Sequence, residues 1–547
     1  MTLSESIWWS FARSVIIASV ALWPVAVLVR QIESCVRVRA RRVWLLLSVF
    51  PLFVPELLTG FNYRLTATQL SLGTSPLMAA TCTELLYSLL QISRCMAVGI
   101  AVAILVPRSD VTRESIHLWT LLRTSVGSRR REAVDLMGSD PLRTVAEAKN
   151  GGFFASISVM KGSDPIKSTL SWWRGWLALR LTGPWQPMVI GWSVMALITF
   201  QEFETAALMQ IDRHPIAWSV WLFDAHAARQ PLTDSLRMIV PPIACEALLL
   251  FPALFLLLKR HRYAKSGMDV ASSEIPRLPC SRHQSFVAAA FVLPGILLML
   301  VWPICANLKV TAVGFVSILT QSTLLRRSMQ QILTSTAFAA GATFLAMALA
   351  SGFFSVKSAT TDKSRTRWLL IVLLVPGLSG SLVMSLLLLA MFQFPGMRML
   401  YDTWLPMLLG QTIAVLPKTF AVVILLQKIT DHAAIHSAGL LMASADLQTR
   451  RNASSILWRM KTSRWLLGGL VVAHWCFWDV TVASILRPVQ PEPVVTRLYN
   501  EMHYGRTEAL MSLSVLAAVI PLIIWIMTVA VIRLASTRFN VTNLQNR

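Results

Sequence analysis

Long apolar stretches joined by short polar or basic connections dominate this chain. Eleven of them, near 14–30, 43–61, 78–106, 187–210, 237–258, 286–306, 332–354, 368–392, 405–428, 465–486 and 510–532, reach bilayer-crossing length. A helix needs about 20 predominantly apolar residues to cross the hydrocarbon layer, and lipid offers no partner for an open backbone, so each stretch is expected to be a helix. The pattern predicts an all-α integral membrane protein with about 11 transmembrane helices.

Composition narrows the class further. Of 547 residues, 55% are hydrophobic and 14% are charged, about half the charged share of an ordinary soluble surface. The net charge of +23 is compatible with nucleic-acid binding or with basic cytoplasmic loops. The distribution decides. With the first loop, 31–42, placed inside, the inner segments hold 34 Lys and Arg against 11 outside, and 22 against 11 when the long loop 107–184 is left out. That asymmetry predicts an outside N-terminus and an inside C-terminus, and it accounts for the charge without nucleic acid, for which no basic, aromatic-studded domain exists. The seven cysteines show no CxxC spacing and are read as small membrane-core residues. The start, MTLSESIWWSFARS, lacks a basic n-region and no A-x-A-like site follows, so no cleavable signal peptide is expected. Trp8, Trp9, Trp172, Trp173, Trp176 and Trp185 flank spans or the long loop as an aromatic belt. Residues 168–181 read as an amphipathic helix on the inner surface.

The chain also echoes itself. Gly191 precedes Glu202 by eleven residues in a passage continuing EFETAALM and HPIAWSVWLFDAH; Gly468 precedes Asp479 by eleven in one continuing DVTVASIL and EPVVTRLYNEMH. Upstream, 93–98 with Arg94 lines up with 417–422 with Lys418, and FPLFVPELLTG (50–60) with LLVPGLSGSLV (373–383). The expected organisation is a first repeat over 1–258 with a long cytoplasmic loop 107–184, a linker over 259–323 carrying the unpaired span 286–306, a second repeat over 324–533 with loop 429–464, and a tail over 534–547. Both copies have the same orientation, so the repeats are parallel about an axis along the membrane normal, an arrangement typical of transporters.

These matched passages, above all Trp478–Ala518 (WDVTVASILRPVQPEPVVTRLYNEMHYGRTEALMSLSVLAA), resemble the binding-protein-dependent ABC transporter permeases of the fused two-half type that imports ferric iron. The resemblance implies a type I importer fold in a bacterial inner membrane, a separate ATP-binding cassette ATPase, as a homodimer, on the cytoplasmic side, and a periplasmic solute-binding protein. ATP and Mg would belong to that ATPase; this chain has no G-x-x-x-x-G-K-[ST] loop, is expected to bind no cofactor itself, and is read as a transport subunit, not an enzyme. The family's coupling helix, E-A-A-x-x-x-G, is matched in the first half by Glu132, Ala133 and Gly138. A second copy of the GSDP that begins at Gly138 follows as Gly162, Ser163, Asp164 and Pro165, and either copy is a candidate for docking. In the second half the stretch 436–442 keeps Ala438 but has His436 for the acid and Met442 for the glycine.

Ionisable residues at membrane depth are costly and mark candidate pathways. Arg94 and Lys418, equivalent in the two halves, are placed to flank a translocation pathway, or to snorkel or pair with Glu84 or Glu202. Glu202 and Asp479 are equivalent acids, read as pathway residues or as partners of those bases. Glu56 has no acidic counterpart, and His474 reads as buried polar glue, not as a metal ligand. The competing function is an ion-gradient-driven secondary transporter, in which such charges act as relays.

Overall fold

A computed structural model describes residues 2–35, 37–106, 181, 185–209, 216–228, 230–263, 282–359, 363–444, 446–488, 490–504 and 507–545. Among these residues there are helices and no strand. Seven helices are long and apolar enough to cross a membrane, and three sharply bent pairs bring the candidate spans to at most ten. The chain is thus an all-α, multi-pass type of protein.

The N-terminal half begins with α1 (Leu3–Ser34), capped by Thr2 and Glu5, which close a reciprocal capping box. It continues through α2 (Val38–Val49), a tight turn over Phe50–Phe53, α3 (Glu56–Gly73) and α4 (Pro76–Leu105). After the long loop come α5 (Gln186–Gln201), α6 (Glu204–Met209), α7 (Trp218–Ala227) and α8 (Leu232–Tyr263). Next, α9 (Arg282–Ile296) and α10 (Trp302–Thr320) form one continuous rod through a widened turn at Leu297–Val301. That turn loosens the backbone ladder, and the Tyr63 hydroxyl donates to the Leu298 carbonyl at 2.7 Å, tying the unpaired span to α3.

The C-terminal half consists of α11 (Ser322–Ala359), α12 (Lys363–Leu378), α13 (Gly380–Gln393), α14 (Arg398–Tyr401), α15 (Leu405–Ile429), α16 (His432–Leu441), α17 (Leu447–Leu457), α18 (Ser463–Phe477), α19 (Val480–Leu486), α20 (Val494–Tyr504) and α21 (Thr507–Gln545). The core has the same plan in each half: α1, α4 and α5 pack on one another, and so do α11, α15 and α18. The contacts of α5 and α4 with α13 and α15 join the halves.

Eleven spans are expected from the apolar pattern, and the structure gives seven to ten. The difference lies at 187–210. That stretch is split into α5, only 16 residues long, and the six-residue α6, with Glu202 and Phe203 in extended backbone between them. Hydropathy averages across such a break because the polar cluster Gln201–Thr205 is short and the residues beyond it on both sides are apolar.

Breaks recur: α2–α3 bends by 71°, α12–α13 by 102° and α18–α19 by 55°. At the sharpest, Gly380 adopts φ of 78°, a left-handed conformation that costs a residue with a Cβ far more than glycine. Just before it, Gly377 lies against α15 where Pro417 has no N–H to give the Ile413 carbonyl. A Cβ at Gly377 would lie 2.6 Å from the Pro417 ring and closer still to that carbonyl. Gly377→Ala is therefore expected to destabilise the protein by about 1–3 kcal/mol. Gly352→Ala, where a Cβ meets nothing within 4 Å, should be neutral or mildly stabilising. Melting of both purified variants in detergent checks the contrast; equal midpoints would show that the α12–α15 contact is not tight.

Candidate functional site

Four breaks, at 54–55, 202–203, 379 and 478–479, meet where the halves touch. Inside a bilayer, unwound backbone must find its partners within the protein, and the polar side chains of this seam do that work. At the first break, three consecutive carbonyls need donors. Leu52 receives the Trp475 indole N–H at 3.1 Å, Phe53 faces His474 Nε2 at 2.9 Å and Val54 receives Arg94 at 3.2 Å. The Phe53 contact requires a proton on Nε2 of His474. Trp475 and His474 belong to the C-terminal half, so they close a break in the other half.

The acids supply the complementary service at the helix starts. Glu202 accepts from the Thr205 and Ala206 amides at 2.5 and 3.1 Å, capping α6, and from the Tyr87 hydroxyl at 2.7 Å. Asp479 accepts from the Val482 amide at 3.0 Å, capping α19, and from the Ser381 hydroxyl at 3.0 Å. Carboxylates at helix N-termini satisfy orphan amides and complement the helix dipole. The two acids matched by sequence thus do the same local job.

Glu204 is the residue that sequence reasoning missed. Only 8% exposed, it accepts from the Leu57 amide with one oxygen and from the Val480 amide with the other, each at 3.1 Å. One carboxylate thereby starts α3 in the first half and α19 in the second. The position matching it in the sequence echo is Thr481, so matched charges do not mark it; the spacing E-x-E in EFETAALM is the available signal. Gln201 and Glu246 were missed too. The Gln201 amide donates to the Leu378 carbonyl at 2.7 Å and to Glu246 at 2.9 Å, covering the third break.

The two matched bases have different surroundings. Arg94, 5% exposed, does not pair with Glu84 or Glu202: its guanidinium pairs with Glu56 at 3.1 Å and also reaches Thr59 and Thr205 at 3.4 Å. Glu84 is held by Arg13 at 3.4 Å. Lys418 is exposed, its ammonium 6.0 Å from the centre of the Trp475 ring. Glu56, without a counterpart in the repeat, is the counterion that lets Arg94 be buried. Among the described residues, no three His, Cys, Asp or Glu side chains gather as a group able to hold a metal ion.

No family model, curated protein or solved structure matches the chain.

Away from the seam, α16 and α17 pack as a helical hairpin. Asp431 caps α16, and Asp446 caps α17, its carboxylate held below the usual range by the Thr449 hydroxyl and by the Thr449 and Gln448 amides. Within α16, Ala438 is buried while Leu440 is 65% exposed; Met442 follows the helix, half-buried. The first-half candidates Glu132, Ala133, Gly138, Gly162, Asp164 and Pro165, and the amphipathic stretch before Leu181, lie outside the described residues.

The double cap makes a graded prediction. Glu204→Gln keeps one carboxamide oxygen and so one of the two caps, whereas Glu204→Ala orphans both amides at about 1–3 kcal/mol each. Melting midpoints in detergent should fall in the order wild type, Glu204→Gln, Glu204→Ala. A Glu204→Ala protein as stable as wild type would show that the halves do not depend on this carboxylate.

Proposed function

We propose that this chain is the membrane-spanning permease subunit of an ATP-driven, binding-protein-dependent importer, with ferric iron or a similar small solute as cargo. The observation that carries the proposal is the pair of like halves meeting at a polar seam. Each half has a packed helical triad whose third helix breaks at an acid, Glu202 or Asp479, that caps a short following helix. The sequence echo runs through the same residues. Two parallel repeats around a central polar seam suit a pathway between them, opened by displacing one half against the other.

ATP hydrolysis belongs, in this reading, to a separate ATPase docking at the cytoplasmic side of an inner-membrane protein. The hairpin α16–α17 supports a docking role: it is short and capped at both helix starts, and it presents Leu440 and Leu441 to the outside. Exposed leucines at the end of a short helix suit insertion into an apolar groove of a partner. The N-terminus would face the periplasm, where a solute-binding protein delivers the cargo.

The second reading, an ion-gradient-driven transporter, draws on the buried carboxylates Glu202, Glu204 and Glu246, three acids at membrane depth. One purification separates the two. From native membranes in mild detergent, the tagged chain should bring down Mg-dependent ATPase activity. Replacing Leu440 and Leu441 together with Glu should reduce the co-purified activity at least severalfold, and Gly138→Trp or Gly162→Trp should do the same for whichever copy docks. If no ATPase accompanies the wild-type chain, the importer reading falls and the gradient-driven one takes its place.

A further inference from the structure

Arg94 and Lys418 are equivalent by sequence, yet only one of them has charge to spare. Every donor direction of Arg94 that the seam uses leads to a partner in the first half: Glu56, the Val54 carbonyl, Thr59 and Thr205. Its charge is spent on holding the 54–55 break against α6. Lys418, some fourteen residues into α15, has no carboxylate within ion-pair distance among the described residues, and its side chain is exposed. The nearby Asp479 already serves Ser381 and the Val482 amide.

The exposed ammonium has an aromatic neighbour. It lies beside Trp475, which is fixed by its bond to the Leu52 carbonyl and by stacking on Phe53, with ring centres 6.4 Å apart and planes 16° from parallel. Lys418 therefore lies next to a contact between the halves. An unpaired cation at membrane depth is expensive unless water or a ligand reaches it, and an aromatic face steadies it at small cost.

Acids outnumber bases in the seam, but they are not available to a solute. Glu202 and Glu204 are buried and accept from backbone amides, and Glu56, 38% exposed, is neutralised by Arg94. Asp479 is half-buried and feels Lys418 electrostatically, and Lys418 is more exposed than Arg94, Glu202, Glu204 or Asp479. We propose that Lys418, with the Trp475–Phe53 stack as its floor, is the cargo-contacting residue of the seam and receives a carboxylate-type anionic group, while Arg94 is a positioning residue. Three ammonium donors beside an aromatic surface suit an organic anion or the anionic shell of a chelate; bare ferric iron asks for several hard oxygen ligands instead. Calling this ligand the cargo rests on the permease reading; the binding itself does not.

Citrate is the probe, with spermidine as a cation of comparable size. The full chain in lipid nanodiscs is titrated with each and followed by calorimetry and tryptophan fluorescence. Citrate should bind, Lys418→Met should weaken it roughly tenfold or more, and Lys418→Arg should restore most of it. Arg94→Met should lower the melting midpoint, with Arg94→Lys recovering it in part, while folded Arg94→Lys protein binds citrate close to wild type. Absence of citrate binding, undiminished binding by Lys418→Met, or preferential binding of spermidine overturns the proposal. Lys418-dependent citrate binding in a chain that brings down no ATPase leaves it standing while removing the importer reading; co-purified ATPase with Lys418-independent binding does the reverse.

Discussion

The structure depends on one constraint: backbone that leaves the helical ladder at membrane depth must be satisfied by the protein itself. This chain breaks its helices at four places near its centre, and each break has named donors or acceptors. Carbonyls are met by Trp475, His474, Arg94 and Gln201; amides are met by Glu202, Glu204 and Asp479. Most of the seam's ionisable groups are thus explained by backbone chemistry before any solute is invoked. The buried charge that first looks like a pathway is largely scaffolding, and what remains after that accounting is a short list headed by Lys418.

The same accounting explains why the halves stay registered. Helices in lipid gain little from apolar burial against one another, so packing and polar contacts must locate them. Glu204 joins the start of α3 to the start of α19, and the His474–Trp475 pair joins α18 to the end of the Phe50–Phe53 turn. Just before α6, Phe203 meets Tyr499 of α20, with ring centres 6.5 Å apart. Each contact crosses between halves, and each uses a residue at or next to a break. The breaks serve as joints between the halves, not as defects within them.

Much of the architecture was legible in the chain. Apolar runs of bilayer length gave helices in the right places, because lipid permits little else, and Glu202 and Asp479 stood out as matched acids that prove to do matched work. The breaks themselves were less visible. The break at Glu202 sits in a short polar cluster, Gln201–Thr205, within a long apolar stretch, and a span-length hydropathy average passes over it. Pairing was also out of reach. Arg94 chose Glu56, which lies 38 positions away on another helix and has no acidic equivalent in the repeat. Glu204 was overlooked for a related reason: symmetry points to what two copies share, and the carboxylate that joins them is present once.

That asymmetry bears on how such a protein can move. Were each half to cap only its own breaks, the halves could separate at little cost. Here the first half's Glu204 caps a helix of the second, and the second half's His474 and Trp475 cap a turn of the first. Any relative displacement must carry Leu57 and Val480 along with Glu204 or leave their amides unpaired in a low-dielectric interior, where such groups are most costly. Motion that preserves those bonds pivots about the Glu204 cluster and concentrates its amplitude elsewhere along the junction. Lys418 makes none of those capping bonds; it lies beside Trp475 and feels Asp479, so its side chain can change position while the capped residues keep theirs.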